Sequence, residues 1–525
     1  MRAVAPRGGY DVLVIGAGHN GLVCAAYLAK AGRRVLVLEA ASTVGGAAIT
    51  QEFSPGFRVS SCAHLLHLMP EFLGRELALD KHGLEFAATN VPTVALLNER
   101  EPLVLGAADH QGLLEPDGSA YPAYRSRMAG FAATLQPLFE HAPPRLGTDA
   151  FADRTGLLRL GWQIRRLGRP RMRELLRIGA MNVYDLLQEH FSDSSLQGAL
   201  AFDAVLGTNY GPRSPGTVLT LLCRLAAQGA SGAGGLMLPR GGMGALSAAL
   251  AGAATAAGVE IRTAAAVERI LVKDDRAHGV QLRSGEQIRA DTVVSNADPK
   301  SSLLGLLGAE HLDTGFVRRV HHLRTRGLTA KLHLALKGPP RFTAVSATRQ
   351  GGRLLIAPSM QYLERAFNST KYGEYSAAPA MEIIVPTLHD PALAPHGAHV
   401  LSAIVQYVPY QLGGGWEAGR QRCIERLIAA LETHAPGISG LVQSAELLTP
   451  LDIEQRFHIH GGHWHHGELA FDQFFMVRPV PGATQYSTPL AGLYLCGAGA
   501  HPGGGVMGYA GRNAARRILA MRPAA

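Results

Sequence analysis

Cysteine is scarce in this 525-residue chain. There are five, Cys24, Cys62, Cys223, Cys423 and Cys496, and no two form a C-x-x-C. That spacing excludes a thioredoxin-like dithiol and a zinc knuckle. So few scattered cysteines suit a reducing compartment, with each thiol acting as a small buried hydrophobe. Long apolar runs are missing too: none reaches the roughly 18 residues of a membrane span. The nine residues before Tyr10 hold no hydrophobic signal-peptide core, so a cytoplasmic protein is expected. Charge is sparse, 17% against 47% hydrophobic residues, which points to a large buried fraction. A chain of this length exceeds one compact core, and two or three domains are expected.

The net charge of +9 is partly local. From Arg154 to Arg177 there are eight arginines against one acid, Glu174. No nucleic-acid motif or aromatic interleaving accompanies them, so nucleic acid is not an expected partner. Trp162, Ile164 and Leu167 lie among these arginines, and Gly168 and Pro170 interrupt the pattern. A solvated helix-loop-helix is the expectation, with peripheral contact to an anionic membrane as the alternative.

What the chain has in abundance is glycine, 62 residues. Three form a G-x-G-x-x-G at Gly16, Gly18 and Gly21, inside DVLVIGAGHNGLVCAAYLAKAGRRVLVLEA. A buried parallel strand is expected over Val12–Ile15, a helix over Leu22–Ala31, a left-handed stop at Gly32, and a second strand over Val35–Leu38. This β-turn-α-β context turns a glycine triplet into a dinucleotide site. Gly16 permits the tight turn, Gly18 admits a pyrophosphate to the backbone, and Gly21 lets helix and strand pack closely. The helix N-terminus faces the phosphates. Glu39, 18 residues after Gly21, is placed to accept hydrogen bonds from the ribose hydroxyls.

A further pair, Gly45-Gly46, follows six residues past Glu39. A second close backbone approach suits a longer ligand, FAD, lying extended. Near the C-terminus, GLYLCGAGAHPGGGVMGYAGRNAARRIL combines a strand over Leu493–Cys496 with a glycine-rich loop and a helix to about Leu519. A helix N-terminus near a flavin ring would stabilise its anionic reduced form. Between these blocks, a helix over Met243–Ala257 stops at Gly258. Strands are expected over Glu260–Arg262, Val267–Val272, Gly279–Leu282 and Thr292–Ser295, with a hairpin at Ser284-Gly285.

Six ordered blocks, GAGHNGLVCAAYLAKAG, LEA…VGGAA, PRGGMGALSAAL, ADTVVSNADP, GGHWHHGELAFDQFFMVRP and HPGGGVMGYAGRNAA, resemble the phytoene dehydrogenase-related branch of the FAD-dependent oxidoreductases. That branch is grouped with the amine-oxidase-like flavoproteins, and the resemblance covers nearly the whole chain. It implies an α/β, Rossmann-like FAD-binding domain of the amine-oxidase and phytoene-desaturase type, assembled from discontinuous segments, with an α+β substrate domain. The expected FAD-binding parts are 1–69, 235–299 and 486–525, and the substrate-domain parts are 70–234 and 300–485. Gly16, Gly18, Gly21, Glu39, Gly45 and Gly46 would hold the ADP side. Val267 would pair with adenine through its backbone. Gly497, Gly505, Val506 and Met507 would lie along the ribityl chain and flavin. No redox cysteine pair is present and Gly497-Ala498-Gly499 leads to Pro502, so a separate pyridine-nucleotide domain is not expected.

In GLTAKLHLALKG, Leu332, Leu334 and Leu336 alternate with Thr329, Lys331 and His333. The resemblance makes Lys331 a candidate for the lysine facing the flavin's reactive edge, and a surface lysine on an edge strand is the alternative. HIHGGHWHHGELAFDQ carries His458, His460, His463, His465 and His466. A metal site is not expected, because no cysteine is near and the glycines make a loop. The resemblance makes this loop line the substrate tunnel, with His466 and Glu468 as acid/base candidates. His501, before the C-terminal glycines, is a third catalytic candidate, ranked above His64, which with His67 could line the same cavity.

The implied activity is hydride transfer from a C–H bond of an apolar small molecule to flavin, as in desaturases. The alternatives are an amine oxidase, an isomerase using reduced flavin, and a flavin-binding regulator with little turnover. A mitochondrial matrix location would apply in a eukaryote. Substrate, electron acceptor and oligomeric state stay open.

Overall fold

The computed structural model describes residues 9–97, 100–106, 110–145, 148, 150–228 and 235–521. Strand β1 is Tyr10–Ile15, helix α1 is His19–Lys30 and strand β2 is Val35–Leu38. The apolar runs of both strands are buried, because helices cover both faces of a parallel sheet. β1 pairs in parallel with β2, Val12 opposite Val35, and with Gln287–Ser295, Val12 opposite Thr292. Glu260–Arg262 extends the sheet beyond β2, and Leu493–Leu495 pairs with Val293–Ser295. Strands from three distant stretches thus close one parallel sheet.

Gln287–Ser295 begins five residues before the expected Thr292. Its first half alternates exposed and buried residues, and pairs antiparallel with Arg276–Leu282. Its second half is apolar and joins the parallel sheet. One strand thus carries two periodicities, and only the second is legible as a buried run. Helix α1 packs on the C-terminal helix Tyr509–Ala520, where a Cβ on Gly511 would lie 2.1 Å from the Asn20 carbonyl oxygen.

An eight-stranded, mostly antiparallel sheet forms the second lobe. At its centre Thr329–Leu336 lies beside His399–Gln406, which lies beside Ala380–Ile384. Leu332, Leu334 and Leu336 join an apolar core with Trp416, Leu427 and Leu431 of the helix Trp416–His434. The alternation expected for this strand is present, but all eight residues are buried, so it is central and not an edge. Helices Asp117–Phe139, Ser194–Val205 and Thr217–Ala227 build a third, helical core. The nucleotide-lobe core also takes in Phe316, Val320, Val480 and Ala483, so packing crosses the expected boundaries at 300 and 485.

Candidate functional site

Gly16 has φ +93°, a left-handed backbone that side chains rarely adopt. A Cβ on Gly21 would lie 2.2 Å from the Gly16 carbonyl oxygen, so the turn closes only on glycine. Gly18 caps α1 without a side chain. The free N–H groups of the first helical turn therefore point to the loop mouth, where phosphates bind. Gly45 N–H donates to the Ala17 carbonyl at 2.9 Å, which brings the second glycine pair alongside the first turn.

Glu39 ends β2. Its Oε2 accepts from the Ala17 N–H at 2.7 Å and its Oε1 from the Ala41 N–H at 2.9 Å. A carboxylate has about four acceptor positions, so two remain for ribose hydroxyls. This clamp fixes the carboxylate before any ligand arrives.

A cavity of about 570 Å³ runs from this turn into the interface with the second lobe. Of the candidate site residues, Gly16, Gly18, Glu39, Gly45, Gly46, Val267, Gly505, Val506 and His466 line it. Gly21, Gly497, Met507, Lys331 and His501 do not. Gly21 and Gly497 are packing positions: a Cβ on Gly497 would meet the Asn296 carbonyl oxygen at 2.4 Å. Met507 turns into the helical core. The cavity suits FAD on its own features. It combines a glycine-lined cradle, an α1 N-terminus and a fixed carboxylate, and the buried His19 Nε2 and His466 Nδ1 have no partner among the described residues.

Lys331 lies one layer behind the cavity wall. Lys331, Ile404 and Glu382 form a cross-strand row on one face of the second sheet, since Ile404 pairs with both. His64 bridges that row: its Nε2 lies 2.8 Å from Glu382 Oε1 and its Nδ1 2.6 Å from Lys331 Nζ. One proton arrangement satisfies both contacts. Nε2–H donates to the carboxylate, and the Nδ1 lone pair accepts from the ammonium. Burial, with the Lys331 cation, lowers the His64 pKa to about 4, so the ring is neutral. Arg353 donates to Glu382 Oε2 from Nε at 2.6 Å and to Asp203 Oδ1 from Nη2 at 2.6 Å. Burial favours a neutral Glu382, yet Arg353 and His64 outweigh it and hold its pKa well below the carboxylate range.

Burial lowers the Lys331 pKa from 10.5 to about 7. The folded protein therefore releases this proton near neutrality, while the unfolded chain keeps it to high pH. Between those values the unfolded state binds more protons, so stability rises with pH. The expected contribution is about 1 kcal/mol per pH unit, read from urea unfolding midpoints between neutral and alkaline pH. Lys331→Met is expected to lose that contribution.

The histidine loop divides. His465 and His466 line the cavity, His458 sits at its edge with φ +55°, and His460 faces Glu454. Burial lowers the His466 pKa to about 4. A neutral imidazole is therefore presented to the ligand, which suits a hydrogen-bonding role more than acid catalysis at neutral pH. Glu468 is drawn away by Arg324, whose Nε donates to its Oε2 at 2.7 Å. His501 departs from its expected role because its Nε2 is 2.6 Å from the Leu138 carbonyl oxygen, which turns the ring toward the helical lobe.

Several residues that the sequence did not single out also shape the site. Arg478 is fully buried and donates to the carbonyl oxygens of His465, Glu468, Gln473 and Ala498, which ties the histidine loop to the C-terminal glycine loop. Asn296 underlies both glycine turns: a Cβ on Gly18 would meet its Nδ2 at 2.7 Å. Arg224, Glu382 and Ile404 reach the cavity from the helical and sheet lobes. Asn296 lies within ADTVVSNADP and Arg478 within GGHWHHGELAFDQFFMVRP, whereas Arg224, Glu382 and Ile404 lie in none of the six blocks, and the convergence of all five is tertiary.

Known proteins resemble this chain in sequence and fold. The family model for flavin-containing amine oxidoreductases matches residues 21–519. The chain is 36% identical over 547 residues to pyridine nucleotide-disulfide oxidoreductase domain-containing protein 2 of Rattus norvegicus, covering 97% of this chain and 93% of that one. It is 27% identical to the lycopene-forming phytoene desaturase of Pseudescherichia vulneris, covering 94% and 96%. Among solved structures, putrescine oxidase bound to putrescine shares the fold at a TM-score of 0.60 and 17% identity, covering 98% and 100%.

Proposed function

Since the chain belongs to the flavin-containing amine oxidoreductase family and is an FAD-dependent oxidoreductase, we propose that it dehydrogenates a small, largely apolar molecule at a C–H bond. Bound FAD supplies the two-electron acceptor, and the protein supplies position and a dry pocket. The observation that carries this reading is the continuity of the cavity. The same space that is lined by the dinucleotide turn continues to Leu65, Leu68, Leu206, Ile404 and Trp464. Such a wall orients an apolar body and excludes water, and fixed polar groups reach it only at a few points. His64, held between Lys331 and Glu382, keeps one tautomer and one ring orientation at that wall.

The desaturase-like relative favours carbon–carbon dehydrogenation. Amine oxidation is the second reading, favoured by the putrescine oxidase fold match. Anaerobic mixing of the FAD-loaded protein with matched polyenes, cyclic alkenes, aliphatic acids and amines separates them. Bleaching of the flavin by non-amine substrates is expected, and bleaching by amines alone would overturn the proposal.

We also propose peripheral membrane contact through Phe151–Arg166 and Arg169–Ile178. Phe151, Leu158, Trp162 and Leu176 are exposed there among the arginines. Basic helices with exposed aromatic and aliphatic residues lie in anionic membrane interfaces. Among the described residues no helix is long and apolar enough to cross a membrane. Flotation with anionic vesicles is expected, with loss of binding in Trp162→Glu.

A further inference from the structure

The substrate end of the cavity is apolar except where His64, His67, Arg224, Glu382 and His465 reach it. The state of each polar group can be read from its partners. Glu382 is already charge-paired: one oxygen accepts from His64 and the other from Arg353. Burial first, then the Arg224 charge, lowers the His67 pKa to about 3, so His67 is neutral. Among the described residues, both of its ring nitrogens lack a partner. His465 Nδ1 also lacks one.

Arg224 differs from the other buried cation nearby. It sits in the last turn of the helix Thr217–Ala227, with 15% of its side chain exposed. Its ion-pair partner among the described residues is Asp203 Oδ1, at 3.5 Å. That same oxygen is held at 2.6 Å by Arg353, which also reaches Asp203 Oδ2 at 3.3 Å. Arg224 thus receives the weaker share of a carboxylate already engaged. Its planar fork of N–H donors remains available on the cavity side. Around the cluster, the carboxylates of Asp203 and Glu382 face the guanidinium groups of Arg353 and Arg224 and the Lys331 amine. Positive charge is therefore in excess whenever Lys331 is protonated.

We infer that Arg224 anchors a carboxylate carried by the substrate, so that the enzyme takes a monoanionic acid with an apolar body. This rests on the proposed dehydrogenation and names its substrate class. A carboxylate matches the guanidinium fork two bonds at a time, and a neutral His67 donates a third hydrogen bond. One available arginine suits one negative charge. A protonated amine would meet Arg224 with both neighbouring carboxylates already engaged. A small chamber of about 50 Å³ opens beside Arg224 and His465, lined by Phe139, Phe474, Leu68 and Leu206 together with Asp203, Thr208 and Thr220.

The test uses FAD-loaded protein and calorimetric titration with octanoate, octylamine and octanol as probes. Octanoate is expected to bind at least about 10-fold tighter than octanol or octylamine. R224L is expected to weaken octanoate at least about 30-fold while changing octanol little. R224Q, which keeps length and polarity, serves if R224L folds poorly, and retained flavin absorbance reports that either variant keeps its site. Equal binding of octanoate and octanol, tighter binding of octylamine, or no loss in the variants would overturn the assignment. Because calorimetry needs no flavin signal, failure of the oxidoreductase reading would appear separately, as absent bleaching with octanoate still bound through Arg224.

Discussion

Replacing Arg353 with methionine is expected to cost about 3–5 kcal/mol of folding stability. The side chain is 3% exposed and lies between Glu382 and Asp203, bonding to both. Removing it leaves two carboxylates, one of them fully enclosed, without their main counter-charge. The nearby Arg224, at 3.5 Å from Asp203, is too poorly placed to replace it. A methionine fills much of the volume, so the loss reports charge and not a cavity. The pH dependence checks this cause. In the wild type, Glu382 is held well below its ordinary range against the opposing effect of burial. Its contribution is present above the carboxylate range and is lost as pH falls through the folded value. In Arg353→Met, burial is no longer outweighed and both carboxylates protonate more readily. The gap in urea midpoint between the two proteins is therefore expected to narrow on acidification. A gap that stays constant to low pH would assign the loss to packing.

Glu39→Arg is expected to remove FAD from the purified protein, weakening its retention by at least about 100-fold. Two effects act together. The carboxylate that accepts from Ala17 and Ala41 disappears, and the turn between β1 and α1 loses its clamp. A guanidinium has no acceptor for ribose hydroxyls. Glu39→Gln keeps one acceptor oxygen and is expected to lose roughly 10-fold. The ratio of flavin to protein absorbance after gel filtration measures both, and circular dichroism checks that the fold persists. Full flavin occupancy in Glu39→Arg would sink the ribose assignment.

The sequence by itself determined the nucleotide turn. Gly16, Gly18, Gly21 and Glu39 act within one local unit, in which φ, close packing and a strand's end follow from residue type and spacing. Gly21 is necessary because a neighbouring carbonyl lies where its Cβ would be. The buried runs of β1 and β2 were legible for the same reason, since parallel strands enclosed on both faces must be apolar throughout. The direction of a side chain was not legible when a distant segment competed for it. His501 follows the Leu138 carbonyl, and Glu468 follows Arg324.

Only the tertiary structure decided the buried polar network. His64 and Glu382 are 318 residues apart, and Arg353 and Asp203 are 150 apart. No local pattern links them. They meet because sheet register places Lys331, Ile404 and Glu382 in one row, and because a loop from the nucleotide lobe lays His64 across it. A local turn is set by sterics among near neighbours. A charge cluster such as this is set by where whole elements dock, and that depends on burial summed over the entire core.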